Sequence, residues 1–293
     1  MAFRELKSPR HNTTADEFQL GADGTFIFSG FYDLQEVVGL DKLTTANCEN
    51  MSYMFYRCDN IEGIDCGSFN TENVTDMQYM FAYCRKAKSI NVKSFDTSNV
   101  TTFKYFLECN WELTDIDVSN FDTSSATILT QFFDECLCIK NLDLSNWDTT
   151  SATSLYSMFW GMRDLETLKL GDNFDITSNP TIDYMFGHCC SLREVWFPEC
   201  FLPANLKLPN AFFTQSSGSG ENWSYHGGFY ARTSCWAGSL TIHCTQETAD
   251  WLAKTNLRWL PSGYNTAMTC DPIPVKFLDR ATGQELAVTW APN

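Results

Sequence analysis

Apolar residues recur at a fixed interval through the middle of the chain. Each copy places four of them at positions i, i+3, i+4 and i+7, which is the spacing of one face of a short amphipathic helix. In the first copy these residues are Met51, Met54, Phe55 and Cys58. The copies start 26 residues apart four times and 27 residues apart once, at Met51, Met77, Phe103, Leu129, Leu155 and Ile182. The pattern predicts a series of nearly identical units, each with one short helix.

A threonine stands just before the predicted helix in four copies, at Thr75, Thr101, Thr127 and Thr153. A threonine hydroxyl can accept a hydrogen bond from the free N–H groups of a first helical turn, so we interpret these residues as N-caps. Thr75 and Gln78 also have the spacing of a capping box.

Alternating apolar and polar residues follow each helix pattern and predict a short strand with one inward face. The inward pairs are Ile64 and Cys66, Ile90 and Val92, Ile116 and Val118, Leu142 and Leu144, and Leu168 and Leu170. Polar turns come next, with a column of acidic residues at Asp96, Asp122 and Asp148. That column could be a carboxylate ladder for calcium, but capping of their own turns is the simpler interpretation of these residues.

A single unit of strand, turn and short helix cannot bury its own apolar face. Stacked units can, through a parallel β-ladder with a strand spacing of about 4.8 Å. The predicted fold class is therefore an α/β repeat solenoid, a stack of short parallel strands and short helices with caps at both ends and a C-terminal β-hairpin.

Three sequence features carry a resemblance to a known family. They are the strand signature Leu-x-x-Leu-x-Leu, the stretch Phe-Asp-Thr-Ser-Asn-Val-Thr at 95–101 and the stretch Met-Gln-Tyr-Met-Phe-Ala-Tyr-Cys at 77–84. Over residues 43–198 the chain closely resembles the BspA-like family of leucine-rich repeat surface proteins. The resemblance implies a leucine-rich-repeat-like stack that serves adhesion or recognition on bacterial, protist and sometimes phage surfaces, without catalysis.

The ends of the chain leave the repeat pattern. Leu240–Cys244 predicts a strand and Thr245–Lys254 a capped helix, and Gly283 suits the turn of a hairpin. We divide the chain into a polar N-terminal arm, an N-terminal cap, the repeat solenoid, an irregular aromatic and Gly/Ser-rich region with a C-terminal cap, and a C-terminal hairpin, at residues 1–22, 23–50, 51–198, 199–270 and 271–293.

Charge and composition exclude several classes of partner. The 293-residue chain has 36 acidic and 20 basic side chains, a formal charge of −16, so it cannot supply the cations that nucleic-acid binding needs. Its hydrophobic fraction of 44% is sufficient for a large core. No apolar stretch reaches the length of about 18 residues that a membrane span requires, so we expect no membrane insertion.

Cysteine and histidine offer the most evident candidates for chemistry. Cys58 and Cys84 share a column with Cys136 and Cys189, and we interpret all four as small buried core groups because Asn110 and Met162 fill the same column. Cys136 with Cys138, and His188 with Cys189 and Cys190, lack the spacing of a zinc site. The sequence leaves open whether a disulfide forms among Cys200, Cys235, Cys244 and Cys270. His11, His188, His226 and His243 are isolated, and no catalytic motif is present, so we expect no catalysis, metal or cofactor.

Three groups of outward residues are candidates for a binding surface. A column of tyrosines lies beside the helix stripe, at Tyr53, Tyr79, Tyr105 and Tyr184. Aromatic residues crowd the Gly/Ser loop, at Trp223, Tyr225, Phe229, Tyr230 and Trp236. The outward strand positions form the sheet face, at Asp65, Asn91, Asp117, Asp143, Lys169 and Trp196. Exposed aromatics anchor proteins and sugars, although both aromatic groups have packing as an alternative.

These features favour a non-enzymatic recognition or adhesion protein that presents the solenoid to a host-cell, protein or glycan surface. Because Met1 begins a polar segment without a signal sequence, we expect display on a virion, as a phage fibre or head decoration, among other structural proteins of the particle. A bacterial cell-surface adhesin is one alternative. Another alternative is a structural subunit whose aromatic loop and hairpin are buried between copies. In that case the chain forms a homo-oligomer.

Overall fold

The computed structural model describes residues 18–178, 180–187, 189, 191–199, 239–254 and 275–289. Short strands dominate this part of the chain, and its one α-helix is α1, Gln246–Lys254. A short 3-10 helix covers Leu40–Lys42. The strands are β1 Phe18–Gln19, β2 Leu43–Thr44, β3 Gly63–Asp65, β4 Ser89–Asn91, β5 Asn141–Leu144, β6 Thr167–Leu170, β7 Glu194–Trp196, β8 Leu240–Cys244 and β9 Val275–Asp279.

Every pair of neighbouring strands is parallel, and in the repeats the register pairs equivalent positions of consecutive copies. Ile64 pairs with Ile90, and Leu142 pairs with Leu168. The described strands form three sheets, β1-β2, β3-β4 and β5-β6-β7-β8-β9. The structure is therefore α/β and repeat-like, with parallel strands and few helices.

The predicted strands are confirmed in all but one of the copies quoted above. Within β5 and β6 the leucines are buried while the residues between them face outward, as the alternation requires. The exception is the segment around Ile116 and Val118, which contains only an isolated bridge between Ser89 and Asp115. The sheet is interrupted at this copy.

The prediction of a short helix in every copy is wrong. In the first copy, N–H groups at alternate positions donate to the next copy: Tyr53 to the Gln78 carbonyl at 3.0 Å and Phe55 to the Met80 carbonyl at 2.8 Å. The intervening N–H groups close tight turns, as from Tyr56 to the Tyr53 carbonyl at 3.1 Å. An α-helix would instead direct these groups to carbonyls four residues earlier in the same segment.

Left-handed backbone at two positions of each turn explains this geometry. Tyr53 has φ of 59° and Arg57 has φ of 59°, and the same two columns repeat through the stack. A residue with positive φ rotates its peptide groups away from the helical direction, toward the neighbouring copy. The first column contains Phe26, Tyr53, Tyr79, Tyr105, Gln131, Ser157 and Tyr184, and the second contains Gly30, Arg57, Tyr83, Cys109, Glu135 and Gly161.

The inward set of the repeat is confirmed even though the helix is not. Met51, Met54, Phe55 and Cys58 are fully buried, and so are their counterparts in later copies. Consecutive turns of three or four residues place the same positions on one side as a helix does. The apolar spacing therefore identified the core and misidentified the backbone that builds it.

The predicted N-cap threonines form a ladder instead. Thr101 donates from both N and Oγ1 to the carbonyl of Thr75, at 2.9 and 3.1 Å, and Thr127 does the same to Thr101 at 2.8 and 3.1 Å. The capping box between Thr75 and Gln78 is absent, since Gln78 bonds the carboxylate of Asp76. With no helix to cap, the hydroxyls connect consecutive copies.

The ends of the described structure continue the stack. β1 pairs with β2, and the turns that follow β1 bond to the first copy, as from Phe28 N to the Met54 carbonyl at 2.8 Å, so regular structure is already present at Phe18. β8 and the helix α1 are found as predicted, with Thr248 N donating to Thr245 Oγ1 at 3.3 Å and Leu252 buried. β9 pairs in parallel with β8, and a turn at Gly283, φ 69°, returns the chain to an antiparallel bridge between Leu278 and Glu285.

Candidate functional site

The tyrosine column forms a stack of rings. Tyr53 and Tyr79 lie 4.7 Å apart between ring centroids, Tyr79 and Tyr105 lie 4.4 Å apart, and Phe26 extends the row beyond Tyr53 at 4.8 Å. All three pairs are nearly parallel. The row ends at Gln131, and Tyr184 makes an edge contact with Tyr156 instead. The structure thus brings together three of the four predicted tyrosines.

A stacked row presents ring edges and hydroxyls to solvent, because each ring face is covered by its neighbours. Sugars and apolar side chains bind aromatic faces, and in this row the free face belongs to Phe26, which is 56% exposed. The geometry therefore favours the packing interpretation for Tyr53, Tyr79 and Tyr105.

Basic, acidic and aromatic side chains surround the second column of left-handed residues. The guanidinium of Arg85 lies 4.7 Å from the centre of the Trp111 ring and 5.3 Å from that of Tyr83. Tyr83 OH donates to Glu108 Oε1 at 3.3 Å. Burial raises the pKa of Glu108 to about 7 and also raises the pKa of Asp134, whose Oδ1 accepts no hydrogen bond from the described residues.

The sheet face is a row of short-range polar contacts. Asn91 Nδ2 donates to Asp65 Oδ1 at 2.7 Å, and Ser119 Oγ donates to Asp117 Oδ1 at 2.7 Å. Ser145 donates to Asp143 from its backbone N at 3.0 Å and also from its hydroxyl. Hydrogen bonds from these serine hydroxyls are the main reason that the pKa values of Asp117 and Asp143 are lowered.

Lysines neutralise part of this acidic row. Lys93 Nζ lies 3.8 Å from Asp117 Oδ2, and Lys169 Nζ lies 3.7 Å from Asp143 Oδ2. These two ion pairs neutralise two carboxylates of the face, and Asp65 and Asp115 are further acidic positions on it.

An aromatic pair continues the sheet face toward the C-terminus. Trp196 and His243 stack with ring centroids 4.5 Å apart, and Lys169 Nζ lies 5.7 Å from the centre of the Trp196 ring. His243 Nε2 lies 2.8 Å from Glu194 Oε1. The sequence suggested that His243 is isolated, and that prediction is wrong. The pairing of β7 with β8 crosses the region that breaks the repeat, so no periodicity could reveal it.

A cleft opens on the sheet face where the ladder is interrupted. Its cavity volume is about 510 Å³. Three segments line it: residues 89–93, 115–119 and 141–143. Asp117 and Asp143, both predicted as surface residues, stand on its walls.

The buried cysteine column has a function that its apolar character did not predict. Cys84 Sγ donates to the Phe55 carbonyl at 3.2 Å, and Cys136 Sγ donates to the Leu107 carbonyl at 3.2 Å. Asn110 makes the equivalent bond to Phe81 at 3.1 Å. Burial raises the pKa of the Cys84 and Cys136 thiols well above the usual value. All described cysteines, Cys244 included, are free thiols.

The acidic turn column caps its own turns, as the simpler interpretation predicted. Ser98 donates to Asp96 Oδ1 from N at 3.0 Å and from Oγ at 2.7 Å, and Ser124 does so to Asp122 at 3.0 and 2.6 Å. Across the described ranges there is no group of three or more His, Cys, Asp or Glu side chains placed to hold a metal ion. In the same ranges no helix is long and apolar enough to cross a membrane.

Several predicted residues lie outside the described part of the chain. The aromatic loop residues are among them: Trp223, Tyr225, Phe229, Tyr230 and Trp236. So are His11, His188, His226, Cys190, Cys200, Cys235 and Cys270. Predictions about these residues, including the disulfide, stay predictions.

Comparison with known proteins gives one match. A family model described as "Mycoplasma protein of unknown function, DUF285" matches residues 25–115 and 85–196, which together span more than half of the sequence. No curated protein and no solved structure matches the chain. The matched residues coincide with the stacked copies described above.

Proposed function

Since the chain belongs to the DUF285 family, which is related to BspA-like repeat surface proteins, we propose that it is a non-enzymatic recognition or adhesion protein. The stacked copies form a solenoid whose sheet face meets a protein or glycan on a host-cell surface. The proposed carrier is a virion, with the protein as a phage fibre or head decoration. A bacterial cell surface is the alternative carrier.

The observation that carries this proposal is the regular sheet face. Equivalent positions of consecutive copies lie side by side, so Asp143, Lys169 and Trp196 form a continuous row. The polar ends of Asp143 and Lys169 are held by local hydrogen bonds and an ion pair, and the strands beneath them sit on a fully buried core. A rigid row of polar and aromatic groups loses little conformational entropy on binding, which favours recognition.

Binding of the full-length chain to intact cells and to a glycan array tests this proposal. Trp196→Ala removes the half-buried aromatic side chain of the sheet face, and we expect it to weaken binding by about tenfold or more. Tyr105→Phe is the matched control, because it alters a ring outside the sheet face and keeps the stack. Equal loss in both variants, or no binding by the wild-type chain, would refute recognition by this face.

The carrier is tested separately by mass spectrometry of purified particles and of fractionated cells. Peptides of this chain in particles at stoichiometric amounts support the virion. Peptides confined to the cell-envelope fraction support the cell-surface adhesin instead.

A structural subunit is the second candidate function, and one observation favours it. At the N-terminal end of the described stack three large apolar side chains are exposed, Phe26 at 56%, Tyr32 at 50% and Val38 at 45%. Apolar groups on the open end of a stack can be covered by another copy. Mass in solution decides: a stable oligomer that Phe26→Glu or deletion of residues 271–293 dissociates would favour assembly over recognition by a monomer.

A further inference from the structure

The cleft on the sheet face coincides with a break in the hydrogen-bond ladder. In the first pair of copies, Cys66 N donates to the Asn91 carbonyl at 3.0 Å. One copy later the equivalent bond would join Val92 to Asp117, and one copy later again it would join Val118 to Asp143. Within the described ranges neither bond is present. The ladder resumes between β5 and β6.

The peptide N–H groups of Val92 and Val118 on the cleft walls are therefore left without a ladder partner in the described part of the chain. Segment 115–118 runs between two neighbouring segments, yet it makes no ladder bond to either beyond the bridge at Asp115. An unpaired N–H or C=O at the edge of a strand is a template for another extended chain. Sheet edges inside a folded domain are normally paired, because an unpaired buried peptide group costs free energy.

From this geometry we propose that the cleft binds an extended peptide segment by β-strand pairing, which deepens the recognition function proposed above by naming its ligand class. The wall formed by residues 89–93 is about 16 Å long at a rise of about 3.3 Å per residue, so the bound segment has four or five residues. Alternate peptide groups of the ligand bond to the unpaired groups of Val92, Val118 and Asp143.

Charge selects a basic peptide. The charged side chains that line the cleft are Lys93, Asp115, Asp117 and Asp143, three negative and one positive. Asp117 is paired with Lys93 and Asp143 with Lys169, whereas the described residues provide no hydrogen bond or ion pair for the exposed carboxylate of Asp115. The chain as a whole has a charge of −16, which attracts cationic segments from a distance.

Calorimetric titration of the full-length chain with the acetylated and amidated peptide Lys-Val-Lys-Val-Lys tests the inference. Methylation of the two valine nitrogens removes two N–H donors and keeps every charge, and we expect it to weaken binding by about tenfold or more. Asp115→Lys should weaken binding of the parent peptide by about fivefold. Glu72→Lys, the same charge change on an exposed side chain that does not line the cleft, should leave binding within about twofold of wild type.

Hydrogen exchange supplies an independent measurement. In the free protein the amides of Val118 and Asp143 should exchange faster than that of Cys66, and the parent peptide should slow them. Equal protection of Val118 and Cys66 without peptide would overturn the inference, because the ladder would be continuous. It would also be overturned by equal binding of the methylated peptide, equal weakening in both lysine variants, or a glycan that occupies the cleft where the peptide does not. If the chain still binds cells through Trp196 but does not bind the peptide, the proposed recognition function stands and peptide binding by the cleft is refuted.

Discussion

Asn110 donates a hydrogen bond from its side-chain nitrogen to the carbonyl oxygen of Phe81 over 3.1 Å, entirely inside the core. In the copies before and after, a cysteine thiol donates to the equivalent carbonyl. Most members of the column therefore donate a hydrogen bond to the preceding copy, and Met162, which has no donor, is the exception. Asn110 differs chemically from the cysteines of the column but makes the same hydrogen bond.

Substitutions of Asn110 distinguish the contribution of its hydrogen bond to stability from that of its side-chain volume. Asn110→Cys restores the donor of the neighbouring copies and removes an amide oxygen that has no partner, so we expect a change in the free energy of unfolding within about 1 kcal/mol. Asn110→Ala loses the donor and leaves a cavity, and should cost about 2 kcal/mol or more. Urea denaturation of both variants measures the difference. Equal destabilisation would show that volume alone matters.

A buried threonine column makes a second connection between copies. Thr71 Oγ1 donates to the Asp96 carbonyl at 2.8 Å and accepts from Asp96 N at 2.8 Å. Thr71→Val keeps the shape and removes both bonds, so we expect it to lower the free energy of unfolding by about 2 kcal/mol. Thr71→Ser retains the hydroxyl and should cost about 1 kcal/mol, the loss of a buried methyl group. If Thr71→Ser proves the more damaging variant in urea denaturation, the hydroxyl is not what stabilises the contact.

The ring stack should contribute to stability in proportion to the contacts of each ring. Tyr79→Ala removes stacking on both Tyr53 and Tyr105 and should cost about 2–3 kcal/mol, whereas Tyr184→Ala removes one edge contact and should cost about 1 kcal/mol. Both tyrosines have positive φ, 55° and 58°, so the backbone cost of alanine is the same. Thermal unfolding compares the two variants. Similar losses of stability in the two variants would mean that ring stacking stabilises the fold no more than the burial of apolar area does.

Glu108 makes stability depend on pH. Burial raises its pKa from 4.5 to about 7 in the folded chain, so the folded state binds the proton more tightly than the unfolded state. The free energy of unfolding should then fall as pH rises from about 4.5 to 7, by about 3 kcal/mol, and level off above pH 7.

Glu108→Gln should flatten this pH profile and raise stability at pH 8, as measured by denaturation at a series of pH values. Asp134, whose pKa is raised in the same direction by burial, accounts for the slope that remains. Asp96→Asn is the control, since hydrogen bonds from Ser98 lower the Asp96 pKa. Its effect should therefore appear as pH falls below about 4. An unchanged profile in Glu108→Gln would contradict the assignment.

The candidate surface could be predicted only in part. Asp117, Asp143 and Trp196 were placed on the sheet face by simple alternation along the strands. The partners that neutralise Asp117 and Asp143 come from neighbouring copies or from serines two residues on, and the alternation does not specify those contacts. His243 joins Trp196 through a strand pairing that crosses the end of the repeat, so nothing in the local sequence indicates it.

Periodicity by itself determined which residues face the core and how far apart the copies lie. A 26-residue repeat of buried positions can be satisfied only by stacking, and the parallel register of β5 on β6 follows from it. The tertiary structure decided the backbone between these positions. An amphipathic helix and a series of left-handed turns bury the same spacing, and the choice depends on whether N–H groups such as that of Tyr53 find a carbonyl in their own segment or in the next copy. It also decided where the ladder breaks, because the pairing of Val92 with Asp117 depends on the positions of two copies that the pattern describes as identical.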